Sequence, residues 1–332
     1  MAAVERQLSE FGAPPSAPIK YPQPVDWSLL IAICGGAYCF VMVAVVISVC
    51  YCKKSRSDSS NQFSNFDQES GSQPAFRAVQ RDRSWKHRAR TSPGTDLSTI
   101  PAYIKMGFIR KVYSILATQL MVTVAIVVGM IYGSFRITAT GPTSEPPYTE
   151  FGNTVLSSAW IIYLLIIPVI AVICALVSMK NKYPHNYILL SVFTVLESIT
   201  VGFICVLYFA AGFGEQILLS FAITLMIFLV LTAFTMQSKI DWSFLAPFLF
   251  TSLFLLCFWS FFTFWLVPYS FGWRKFISLA GAIVFCFFII YDTNNIMKHM
   301  GVDDYIIAAI ELYLDIINLF QYLLMLLSST SR

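Results

Sequence analysis

Eight long apolar runs organise the chain, at roughly 27–51, 108–133, 155–178, 186–211, 216–236, 244–267, 275–297 and 304–327. Each approaches or exceeds the ~20 residues that one helical crossing of a bilayer needs. In hydrocarbon every backbone N–H and C=O must be paired within the protein, so such runs predict helices and exclude lipid-exposed loops. Only 12% of the 332 residues are charged and 57% are hydrophobic, against about one quarter charged in a soluble domain. The expected fold class is an all-α integral membrane protein: a seven-helix bundle preceded by one extra transmembrane helix and a disordered linker.

Four domains are expected. Residues 1–26 carry Pro14, Pro15, Pro18, Pro22 and Pro24 and read as a disordered tail. Residues 27–51 form the extra transmembrane helix. Its apolar run starts too late and is too long for a cleaved signal peptide. Lys53, Lys54 and Arg56 follow it as a cytosolic stop. Cys50 and Cys52 at that end fit either plain interfacial cysteines or S-palmitoylation. Residues 52–102 are polar, too poor in aliphatics to offset the entropy of ordering, and read as a disordered cytosolic linker. Its basic run, Arg81–Arg90, fits a solvated topogenic stretch or contact with anionic headgroups; nothing in it resembles a nucleic-acid module. Residues 103–328 are the compact body. The eight cysteines lie in or beside apolar runs, with no zinc-like spacing and no stapled polar loop.

Charge sets the orientation. With the linker inside, the loops holding Lys180 and Lys182, Lys239, and Lys298 also fall inside, as the positive-inside rule requires. The outer loop at 134–154 has Arg136 as its one basic residue; Arg274 and Lys275 run against the pattern. Both termini are then expected outside. Trp160, Trp242, Trp265 and Trp273 near the segment ends read as the interfacial aromatic belt.

Acids deep in the apolar runs are the candidate functional groups, because a carboxylate at bilayer depth is costly and marks a site by default. They are Glu197, Asp292, Glu311 and Asp315. Counting from the loop near Gly301, Asp292 and Glu311 each lie about nine residues away, roughly 13 Å along their helices. Asp315 is one turn deeper than Glu311 and on its face, with Asn318 nearby. Glu197 reaches a similar depth, so a polar column at one level is expected, with Tyr291 and Tyr313 beside the aspartates as supporting groups. Two carboxylates close together in low dielectric cannot both ionise cheaply, and the pair can share one proton. Ionised, it attracts a hard cation such as Ca²⁺, so Asp292 and Asp315 are also tentative calcium ligands. The plain alternative is that these groups are hydrogen-bonding glue between helices. His185 and His299 read as solvated loop histidines.

Several stretches together resemble one known family: Phe108-Ile109-Arg110-Lys111-Val112-Tyr113-Ser114-Ile115-Leu116, Tyr183-Pro184-His185-Asn186, Phe193-Thr194-Val195-Leu196-Glu197-Ser198, Gln237-Ser238-Lys239-Ile240-Asp241-Trp242, Tyr291-Asp292-Thr293 and Leu312-Tyr313-Leu314-Asp315-Ile316-Ile317-Asn318-Leu319-Phe320. In this order, over about 100–328, they resemble the lifeguard branch of the transmembrane Bax-inhibitor-motif family. The resemblance implies a seven-helix fold with the last helix central. It implies a pH-sensitive calcium leak in which Asp292 and Asp315 share a proton, and restraint of cell death through calcium stores or death-receptor signalling. Bacterial relatives latch one aspartate with a basic residue on the second helix. The nearest counterparts here, Lys180 and Lys182, sit at that helix's inner end. The 27–51 helix departs from the family pattern, and anchoring, partner binding and sorting are open roles for it.

The expected function is therefore a pH-sensitive calcium leak of an endomembrane (endoplasmic reticulum, Golgi or endosome) or the plasma membrane. It has no cofactor, Ca²⁺ is the permeant ion, and membrane lipids and apoptosis-regulating membrane proteins are its partners. The alternative is a non-conducting scaffold acting in death-receptor signalling or trafficking. An enzyme is not expected. Tyr291-Asp292 resembles the first half of an intramembrane aspartyl protease site, but Leu312-Tyr313-Leu314 stands where such proteases carry Gly-x-Gly before the second Asp.

Overall fold

The computed structural model describes residues 102–135, 149–158, 161–179, 182–266, 271–301 and 304–330. The expected tail and extra helix, and the linker up to residue 101, lie outside the described residues, as does Lys180.

The described chain is almost wholly helical: α1 Ala102–Ser134, α2 Glu150–Ser157, α3 Ile161–Met179, α4 His185–Ala210, α5 Gly214–Gln237, a 3₁₀ turn Trp242–Leu245, α6 Ala246–Leu266, α7 Phe271–Lys298 and α8 Tyr305–Thr330. Six of the described helical stretches are long and apolar enough to cross a membrane, and α3 adds a shorter apolar run, Leu164–Met179. The chain is a multi-pass membrane protein.

One expectation needs correction. The run expected as a single segment, 155–178, spans two helices. Thr149 caps α2 through its side chain, which accepts from the Gly152 N–H, and α2 ends at Ser158, whose N–H turns back to Thr154. Of the two, α3 carries the apolar run, Leu164–Met179. At 19 residues it is about 28 Å long, close to the hydrocarbon thickness.

Burial identifies the centre. In α8, 83% of the most apolar window is enclosed, against 17% for α1 and for the stretch that includes α6. Helices α1, α4, α5 and α7 all pack against α8, whereas α3 leans mainly on α4 and α6 mainly on α7. The outer faces expose Met121, Ile167, Leu218, Met226, Phe254 and Leu255, which suits contact with acyl chains. A helix that is hydrophobic all round belongs inside, and α8 is surrounded by protein.

Close approach at the two largest helix pairs depends on glycine, as is common between membrane helices. A Cβ at Gly202 of α4 would overlap the Met130 side chain of α1, and one at Gly281 of α7 would overlap the Tyr322 ring of α8. That ring is also stacked on Phe285, with centroids 5.6 Å apart. Gly281→Val should therefore lower stability by roughly 1–3 kcal/mol through overpacking, read as a fall in thermal midpoint in detergent. An unchanged midpoint would contradict the close α7–α8 approach.

Candidate functional site

Helices α7 and α8 form the most extensive pair in the bundle. Their link is tight: His299 and Met300 N–H both bond the Asn295 carbonyl at 2.9 Å, and Asp304 N–H bonds Gly301 O at 3.0 Å. This hairpin brings Asp292, about 9 Å before the end of α7, opposite Asp315, about 15 Å into α8. The two carboxyl groups are direct neighbours, and the Glu311 carboxyl, one turn nearer the link, acts electrostatically on both. Asp315 is fully buried and Asp292 is 7% exposed; Glu311 is half-buried.

Neither Asp315 oxygen has a hydrogen-bond donor among the described residues. Ionised carboxylates are acceptors only, so a facing pair supplies no donor of its own. One proton between the two carboxyl groups would supply it, and removing that proton would leave adjacent negative charges in an apolar interface. The arrangement can thus hold a proton or attract a cation. It is not a closed calcium cage: two carboxylates fall short of the roughly six to eight oxygens that Ca²⁺ takes, and no cluster of three or more His, Cys, Asp or Glu able to hold a metal is found among the described residues.

The expected polar column is divided by α8. Tyr313 and Asp315 are two positions apart, hence about 200° around the helix. Asp315 faces α7, while Tyr313 faces α1 and α4. There the Tyr313 hydroxyl lies 2.8 Å from Thr123 Oγ1, which lies 2.9 Å from Ser198 Oγ. Thr123 and Ser198 also lie within hydrogen-bond distance of the carbonyls of Gln119 and Thr194, so the three hydroxyls form one connected hydrogen-bonding chain. Glu197 is fully buried and acts electrostatically on Tyr313. Asn318 is buried, and its amide donates to Leu314 O at 2.7 Å. Tyr291 is half-buried.

Lys182 is exposed at the approach to α4, on the outer-packed side where α3 meets α4. Asp292 and Asp315 lie along α7 and α8; α8 packs mainly against α7, α5 and α1, with a smaller contact to α4. No ion pair joins Lys182 to Asp292 or Asp315 among the described residues; Lys180, the other residue of the expected latch, lies outside them.

Other polar groups gather at the same end. Lys111 Nζ of α1 sits 3.3 Å above the Tyr305 ring, and Tyr187 donates to the Tyr305 hydroxyl at 3.3 Å. Asp241, just before the 3₁₀ turn, accepts from Asn294 Nδ2 at 2.9 Å, with His299 Nε2 at 3.2 Å. An aspartate before an apolar helix start is a capping signal, which offered a way to single out Asp241. The hydroxyls of Thr123 and Ser198 carried a fainter cue: i, i+4 spacing from Gln119 and Thr194 within apolar runs.

Residues 105–332 match the family described as "Inhibitor of apoptosis-promoting Bax1". Among similar proteins, "Protein LIFEGUARD 3" of Arabidopsis thaliana is 40% identical over 235 residues, which cover 69% of this chain and 87% of that protein. "Bax inhibitor 1" of Schizosaccharomyces pombe is 36% identical over 228 residues, 68% of this chain and 77% of its own length. The "Golgi anti-apoptotic protein" of Vaccinia virus (strain Lister) is 32% identical over 240 residues, 72% and 92%. With the matched region running from the first turn of α1 through α8, the chain belongs to the Bax inhibitor (lifeguard) family.

Proposed function

We propose that the protein is a pH-sensitive calcium leak of an endomembrane or the plasma membrane, and that by lowering calcium stores it restrains apoptosis. The observation that carries this reading is the buried Asp292–Asp315 pair at the α7–α8 interface, flanked by Glu311. A structural role alone would be met by an aspartate hydrogen-bonded to a neighbouring helix; here carboxyl faces carboxyl. Ionised, the pair draws a divalent cation to mid-bundle. Holding one proton, it loses half that charge and lets the two helices close. The names of the fission yeast and viral relatives support the link to cell death, and the viral name supports a Golgi-type endomembrane. A proteolytic role is disfavoured: Leu312, Tyr313 and Leu314 before Asp315 are all fully buried and leave no glycine-lined backbone for a substrate strand.

Reconstituted into calcium-loaded liposomes, the protein should pass Ca²⁺ down its gradient, faster at neutral than at acid pH. Asp292→Asn and Asp315→Asn should each flatten that several-fold pH difference. Wild-type vesicles that do not leak would sink the channel reading and leave a non-conducting scaffold; a leak whose pH curve both variants leave in place would remove the pair as sensor. Tyr313→Phe makes a control on the opposite face of α8. It should reduce stability by about 0.5–1.5 kcal/mol through the lost hydrogen bond and leave the pH curve unmoved.

Orientation is tested separately. Lys111, Tyr187, Ile240, Lys298 and Tyr305 are gathered at one end by their contacts, and that end should be cytosolic. A cysteine introduced by Lys239→Cys, exposed in the α5–α6 link, should react with an impermeant maleimide from the cytosolic side alone. Labelling from the lumenal side would invert the assignment.

A further inference from the structure

Three contacts fasten the end of α7 to the link between α5 and α6. Asn294 Nδ2 donates to Asp241 Oδ1 at 2.9 Å, His299 Nε2 lies 3.2 Å from the same oxygen, and Lys298 Nζ donates to Ile240 O at 2.7 Å. The same aspartate accepts the Ser243 N–H at 3.2 Å and so caps the 3₁₀ turn. The joint runs from solvent into the bundle: the Asp241 and His299 side chains are 49% and 39% exposed, whereas Asn294 is 2% exposed. Asn294 is the next residue but one to Asp292 on a continuous helix. A hydrogen-bonded helix moves as a unit over so short a distance, each residue fixed to the next by about 1.5 Å of rise and 100° of turn.

We propose that Asp241 is a positioning residue: it pins the last turns of α7 and thereby sets the height and rotation at which Asp292 meets Asp315. The inference rests on the reading of that pair as a proton-holding element, but not on calcium passage. The titratable and charged groups around joint and pair are His299 and Lys298 of α7, Glu311 and Asp315 of α8 with Asp304 before its start, and Tyr113 of α1, which faces Thr293 of α7 and Thr232 of α5.

Asp241 is suited to a fixed anchor rather than to a second sensor. The Asn294 amide first, then His299 and the Ser243 N–H, hold its carboxyl well below the usual carboxylate range. Stabilisation from a carboxylate lowered in this way is fully present above the unfolded value of about 3.9 and is lost as pH falls through the lower folded value. The anchor therefore stays charged throughout mildly acid and neutral conditions and adds no step of its own there.

The test uses the full-length protein in lipid nanodiscs with two readouts. Hydrogen–deuterium exchange follows the 294–300 segment. Infrared spectroscopy follows the protonated-carboxyl C=O band against pH, the share due to the pair being the part that Asp315→Asn removes. Asp241→Ala should raise exchange in 294–300 several-fold and move the midpoint of the band by at least about half a pH unit. Asp241→Asn keeps an oxygen for Asn294 and Ser243 and should restore most of both. Asn294→Ala should reproduce Asp241→Ala, with little added in the double variant, because the two act through one contact; it also serves if Asp241→Ala does not fold. Unaltered exchange would overturn the proposal. Raised exchange with an unmoved band would overturn it too, leaving Asp241 as a turn cap. A wild type with no titrating band would remove the pair reading and this inference together. A band that responds as expected in a protein that passes no Ca²⁺ would remove the leak and leave the positioning role standing.

Discussion

Nearly all of α8 is enclosed by protein: every residue from Ile306 to Met325 except Glu311 is buried. That enclosure makes the rest of the architecture workable. A carboxyl facing acyl chains would be too costly to keep, whereas one facing other helices can draw on their polar groups and on a shared proton. Helices α1, α4, α5 and α7 form the wall, and their outer faces carry the apolar side chains that lipid requires. The bundle thus separates two solvents, with hydrocarbon outside and a small set of polar groups inside.

Those inner groups are sorted by chemistry on opposite sides of α8. Toward α1 and α4 lie hydroxyls that bond one another and the backbone: Thr123 with Gln119 O, Ser198 and Tyr313, and Ser198 with Thr194 O. Hydrogen bonds of this kind in membrane bundles contribute about 0.6 kcal/mol on average, enough to fix register when several act together but with no charge to gain or lose. Toward α7 lie acids with no cation beside them among the described residues. The first side holds the helices in place, and the second can change charge. Separating the two lets the charge on one face vary while the other keeps α8 seated.

What the sequence made legible follows from which properties survive averaging along a helix. Run length marked the membrane helices, and isolated acids in apolar runs marked Asp292 and Asp315, since both signals are local. The break between α2 and α3 was missed because Ser157 and Ser158 interrupt hydropathy too little to divide a run; the division comes from the Thr149 cap and the backbone turn at Ser158. Lys182 was a reasonable latch candidate by helix order, but order does not say that α3 packs behind α4. The sorting of Tyr313 from Asp315 was available from the 100° step, yet which face met which helix was not. Asp241 and Asn294 are 53 positions apart, and no periodicity connects a loop aspartate with a helix amide at that distance.

The α7–α8 hairpin is held at its basic end on both legs. On α7 the hold is Asn294 on Asp241 and Lys298 on Ile240; on α8 it is Lys111 above Tyr305, with Tyr187 on the hydroxyl. The nearer α7 hold, Asn294, lies within one turn of Asp292, while Tyr305 is about three turns from Asp315. Repulsion between two ionised carboxylates must be relieved where the structure yields most easily, which is the leg with the longer free stretch. Asp292 is thus the more closely held member of the pair, and Asp315 sits on the leg with the longer stretch between hold and carboxyl. Because α8 is also the helix around which α1, α4, α5 and α7 are packed, a small tilt of it alters every inner interface at once, whereas the same tilt of a peripheral helix such as α3 or α6 would alter little beyond its own contact.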